Sequence, residues 1–157
     1  MKKEELLKEL ERDFEKMKKE SGLKSNLEEL DRNFGIKNQI LRDGFVSENL
    51  SSQICSRVVD LFTGWGNYVH SLIMPNPQNM MNMSEAKLFD SEERKKLTEL
   101  MSIAMERSSK NGLLNLKEDD EEKIKFIDES MDMWKNSFEN EIIKILEKVN
   151  IAWGTKK

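Results

Sequence analysis

The stretch Thr63-Gly64-Trp65-Gly66-Asn67-Tyr68-Val69-His70 gathers the sole tyrosine, the sole histidine, a tryptophan and two glycines into about two helical turns. Small residues let a ligand or a second backbone come close, so Trp65, Asn67, Tyr68 and His70 could line a concave ligand site between helices. The same residues also read as packing, with Gly64 and Gly66 admitting a neighbouring helix, Trp65 in the core and Tyr68 and His70 near the surface. Gly64-x-Gly66 is not a dinucleotide fingerprint, because the third glycine and a preceding strand are missing. One histidine leaves no second imidazole, and no Glu-x-x-His pair occurs, which excludes a ferritin-like di-iron centre.

Other chemistry-bearing groups are sparse. Cys55 is the only cysteine, so one chain can form neither an internal disulfide nor a thiolate metal cluster, and within Ile54-Cys55-Ser56-Arg57-Val58 it reads as a small apolar core residue. Met74, Met80, Met81 and Met83 make a soft, adaptable group. It suits the edge of a core or a partner surface better than a soft-metal site with His70 or Cys55. The acids from Glu118 to Glu122 lack the spacing of a calcium loop and fit a helix start, where carboxylates complement the dipole. Carboxylate pairs such as Glu85 and Asp90 carry no signal among 30 acids. The expectation is no catalytic residue, no metal and no cofactor.

The elements that would position these residues are helical throughout. Leu7, Leu10, Phe14 and Met17 recur at steps of 3, 4 and 3 on a charged segment closed by Gly22, giving a first amphipathic helix over residues 1–22. At two to three heptads the stripe is too short for a free coiled coil, so it must pack on its own domain or on a partner. Asn26 with Glu29 has capping-box spacing and opens a short helix ending at Gly35, followed by a turn or two through Ile36, Ile40 and Leu41. The run from Leu50 through Ile54, Val58, Phe62, Trp65 and Val69 to Ile73 is the candidate central helix, ended by Pro75 and Pro77. Residues 76–84 read as a surface loop. Asp90 and Glu93 repeat the capping-box spacing before Leu97, Leu100, Met101, Ala104 and Met105, a helix expected to stop at Asn111-Gly112. The last helix runs through Ile127, Met131, Trp134, Phe138, Ile142, Ile145 and Val149, at an average step of about 3.67 residues.

Composition agrees with that reading. Of 157 residues 36% are charged and 40 are Leu, Ile, Val or Phe, enough apolar side chains for one core in a highly charged chain. β-branched residues, Pro and Gly are scarce. The expected fold is all-α, a single domain with a bundle of about four or five helices in which residues 23–157 form the core. No apolar run is long enough to span a membrane, and the amphipathic, acidic N-terminus is not a signal-peptide pattern, so a cytoplasmic setting without a membrane partner is expected.

These readings order the functions. The first is a non-enzymatic protein-interaction or assembly protein, its partner surface made of Leu7, Leu10, Phe14 and Met17 with Met80, Met81 and Met83. Its partner is another protein or a second copy, in a homodimer through the N-terminal helix. The second is a ligand-binding or enzymatic bundle using Trp65, Asn67, Tyr68 and His70. The third is a helix-turn-helix over Leu27 to Leu41. Asp31 occupies the position four before Gly35 where a small residue belongs, and a net charge of −4 disfavours nucleic acid.

Overall fold

In the computed structural model, which describes residues 2–155, 84% of the described residues are helical and none is in a strand. The helices are α1 (Lys3–Ser21), α2 (Leu27–Phe34), α3 (Ile36–Asp43), α4 (Leu50–Ile73), α5 (Met80–Ala86), α6 (Ser91–Lys117), α7 (Asp120–Met133) and α8 (Glu139–Thr155), with a π-turn at Trp134–Phe138. Because α7, the π-turn and α8 are one unbroken helix, seven helices are separated by loops, two or three more than expected. The described chain forms two compact units. The first runs to Leu61 and takes in Ser109–Asp132; the second comprises Phe62–Ser108 and the chain from Met133.

In the first unit, α1 begins with Glu4 and Glu5 and ends with Lys18 and Lys19, an arrangement that complements its dipole. Gly22 closes it in the left-handed region at φ 77°, its N–H donating to the Lys18 carbonyl at 3.1 Å. Leu6, Leu10 and Phe14 are buried, and α1 packs on α3. Leu7 and Met17 are half-buried. Asn26 caps α2 by accepting from the Glu29 N–H at 2.8 Å. Gly35, at φ 69°, turns the chain into α3, and the Arg57 Nε donates to the Phe34 carbonyl at 2.6 Å. Leu30, Phe34, Ile36, Ile40, Leu50, Ile54, Val58, Ile124, Phe126 and Ile127 also belong to this core. Each large apolar side chain so buried contributes roughly 1.5–3 kcal/mol.

In the second unit, Phe62 meets Trp134 edge-on at 5.6 Å between ring centroids and Phe138 at 4.9 Å, while Trp134 and Phe138 stack at 5.6 Å. The π-turn explains how both rings face inward. Two successive four-residue steps, Trp134 to Phe138 to Ile142, overshoot a 3.6-residue turn by about 40° each. One wider turn, in which the Glu139 N–H donates to the Trp134 carbonyl, absorbs that drift.

Two further segments differ from the sequence expectation. Residues 80–86 are helical, so the second half of the expected loop, 80–84, is helix instead, because Asn79 caps α5 by accepting from the Asn82 N–H at 3.0 Å. Helix α6 does not stop at Asn111-Gly112 but continues to Lys117. Its buried positions Leu97, Leu100, Ala104, Arg107, Asn111 and Leu114 follow steps of 3, 4, 3, 4 and 3, and Gly112 is exposed. The polar Arg107 and Asn111 in that inward row hide its periodicity from an apolar reading. At its start, the Asp90 and Glu93 pair forms the full reciprocal capping box, at 2.8 and 3.1 Å.

Candidate docking cleft

The first unit carries an open cleft of about 1140 Å³. One wall is the edge of α1 bearing Asp13, Lys16, Met17 and Glu20, the other the edge of α7 bearing Asp120, Glu121, Ile124, Lys125, Asp128, Glu129 and Asp132. Both sets combine steps of one and three residues, so that side chains three or four apart share one helix edge. Each edge borders its helix's buried stripe, so the cleft is built where two amphipathic faces turn from apolar to charged. Ser47, Glu48 and Asn49, with Leu50 and Ser51 at the start of α4, close a third side.

Its frame is tied by hydrogen bonds. The Asp128 carboxylate accepts from the Lys24 N–H at 3.0 Å, the Ser25 N–H at 2.9 Å and the Ser25 hydroxyl at 2.7 Å. Lys18 Nζ donates to the Lys24 and Ser25 carbonyls at 3.2 and 3.0 Å. Together these fix the α1–α2 connection to α7. The Asn49 side chain accepts from the Ser51 hydroxyl at 2.9 Å and the Ser52 N–H at 3.3 Å, which caps α4.

Its electrostatics are one-sided. Eight carboxylates and three lysines line the cleft, together with half-buried Met17 and the buried Leu50 and Ile124. Glu20, Glu48 and Asp132 are exposed and their carboxylates make no hydrogen bond or ion pair among the described residues. Lys125 Nζ donates to Glu122 at 3.1 Å, and that bond, the charge of Glu122 and the charges of Glu121 and Asp119 raise the Lys125 pKa.

Groups that could act as nucleophiles behind the cleft are already engaged. Buried Lys123 donates to the Ser52 hydroxyl at 2.6 Å and reaches Asp120 at 3.5 Å. The Cys55 thiol donates to the Lys123 carbonyl at 3.6 Å, and burial pushes its pKa up to about 12 against the opposing charge of Lys123. A thiol so placed stays protonated and unreactive at neutral pH.

In the second unit, the Trp65 ring lies edge-on to Tyr68 at 6.2 Å. The Tyr68 hydroxyl donates to Glu85 Oε1 at 2.7 Å, and Glu85 Oε2 accepts from the Trp153 indole N–H at 2.8 Å. Burial first, then the bond to Glu85 and its charge, raise the Tyr68 pKa. Glu85 and Trp153 thus join two of the four residues singled out from the sequence. The other two, Asn67 and His70, are exposed. Met80 and Met81 are exposed and Met83 is half-buried. A smaller cleft of about 150 Å³ lies over Phe89, Leu97 and Ile145, with Lys148 at its rim bonded to Glu93 at 2.6 Å.

Of the residues proposed from sequence as a partner surface, Leu10 and Phe14 are fully buried, and Met17 lines the larger cleft. Glu20, Glu48, Ile124 and Asp132 carried no signal of their own in the sequence. Among the described residues no helix is long and apolar enough to cross a membrane, and no group of three or more His, Cys, Asp or Glu is placed to hold a metal ion. No family model, no curated protein and no solved structure matches this chain.

Proposed function

We propose that this chain is a non-enzymatic protein-interaction protein that holds a segment of another polypeptide in the cleft of its first unit. The observation that carries this reading is the cleft itself, open and about 1140 Å³ in volume, lined by eight carboxylates and three lysines, with half-buried Met17 among them. Small-molecule sites are typically clefts or cavities of roughly 300–1,000 Å³ lined mainly by apolar and aromatic side chains with a few converging polar groups. A wider, open trough lined by charge fits a polypeptide better, because charged side chains along its length supply orientation and specificity. In this reading α1 meets its partner through Met17, while Leu10 and Phe14 hold α1 to its own unit.

Photocross-linking tests it. A photoreactive phenylalanine analogue replaces Met17 in the full chain, and the control carries it at Glu11, which is exposed on α1 and does not line the cleft. The expected result is a discrete polypeptide adduct from position 17 and none from position 11. Equal labelling from both positions, or none from 17, overturns the cleft as the docking site.

A further inference from the structure

The outer face of α8 is built differently from that of α1. Of the eleven exposed residues of α1 ten are charged, so that surface is made for water. From Asn140 to Gly154 nine residues of α8 are exposed and only Lys144 and Glu147 among them are charged, which leaves the face poor in groups that keep a helix solvated. Three of the nine are large aliphatic side chains, Ile143 at 45% exposure, Leu146 at 38% and Ile151 at 67%. Ile142, Ile145 and Val149 already fill the core side of the helix, so these three point away from it.

The two charges indicate what covers the face. Lys144 Nζ donates to Glu141 on its own helix at 3.3 Å, and the Glu147 carboxylate has no hydrogen bond or ion pair among the described residues. A partner of one charge sign would leave either Lys144 or Glu147 facing its like, whereas a second copy supplies both signs. Orientation decides the match. In a parallel pair the twofold axis runs along the helices and sets Glu147 against Glu147. In an antiparallel pair, positions equally far from the axis meet. With the axis between positions 145 and 146, Glu147 of each copy stands opposite Lys144 of the other, Ile151 stands opposite Asn140, and the two Leu146 side chains lie beside the axis. We infer that α8 pairs with α8 of a second copy, antiparallel and isologous, covering Ile143, Leu146 and Ile151 and forming two Lys144–Glu147 ion pairs across the seam. The seam belongs to the second unit alone, so it stands or falls separately from the cleft.

Sedimentation equilibrium of the full chain at low salt tests it. The expected species is a reversible dimer of the 18.4 kDa chain. Glu147→Lys and Lys144→Glu should each weaken the dimer by about tenfold, since symmetry applies the loss of one modest exposed pair twice. The double exchange of both residues should restore it, which mere damage to α8 would not allow. Leu116→Asn, at an exposed apolar residue of α6, should change nothing. Orientation is read by mild oxidation of Asn140→Cys and Ile151→Cys made as separate chains. Mixed, they should give a disulfide-linked dimer that neither gives alone, and buried Cys55 does not compete. A chain that stays monomeric at every concentration reached, a dimer indifferent to the charge reversals, or a double exchange that fails to restore it overturns the inference. So does a mixture without the disulfide, or either cysteine variant cross-linking with itself as readily as with the other.

Discussion

Tyr68 and Glu85 show what one hydrogen-bonded pair does to a titration. Burial, the 2.7 Å bond and the Glu85 charge all favour the neutral phenol, so the Tyr68 pKa lies above its ordinary value of 10.0 in the folded chain. The sign follows. Stability from this group is complete below pH 10 and is lost as pH rises beyond it, since the unfolded chain releases the proton more readily. Because Tyr68 is the only tyrosine, phenolate absorbance reports it alone. Native protein should ionise at higher pH than the same protein in denaturant, and Glu85→Gln should move the native midpoint down by removing the charge. Coincident midpoints for native and denatured protein would contradict the bond. The sequence marked Tyr68 and Trp65 as unusual neighbours but could not supply Glu85 or Trp153, since that cluster exists only after α4, α5 and α8 have met.

Two glycines one residue apart in α4 illustrate how an element is constrained by what it touches. A Cβ at Gly66 would sit 2.6 Å from the Ala104 Cβ on α6, where neither atom can swing aside, whereas one at Gly64 meets nothing within 4 Å. Gly64→Ala should therefore stabilise the chain by up to about 1 kcal/mol through helix propensity. Gly66→Ala should destabilise it by about 1–3 kcal/mol through overpacking, less whatever propensity returns. Urea midpoints of the two variants should move in opposite directions; a rise in both would show that α4 and α6 do not approach as closely at Gly66. Element starts and stops were largely legible where a side chain performs them, as with Asn26, Asp90, Glu93, Gly22 and Pro75. They were missed in α5, whose Asn and Met residues have no apolar period. Helix α6 was misread because buried Arg107 and Asn111 interrupt an otherwise regular inward row. The Asn79 cap, three residues before Asn82, was a readable signal for α5.

Across the whole molecule, charge is unevenly divided. The first unit carries 21 acids and 16 cationic residues, the second nine acids and ten cationic residues. Self-repulsion among carboxylates weakens the first unit more, and salt screens it. Added sodium chloride should raise amide-exchange protection in α1 and α7 more than in α8; an equal rise would place the effect in bulk solvent. The all-helical class was legible from composition, but the cleft was not, because its two walls lie about a hundred residues apart and become neighbours only through tertiary packing. The π-turn at Trp134–Phe138 has a consequence of another kind. It holds one residue more than an α-helix needs there, so α8 keeps its angular phase relative to α7 only with that surplus removed or retained as a whole. Chain length at this point is therefore a discrete variable. Loss of a single residue such as exposed Asn136 converts the wide turn to a regular one and leaves both flanks in register, whereas the same loss inside α4 or α6 would rotate every later position by about 100°. Homologues of this protein should vary in length by one residue at this turn more readily than within any other helix.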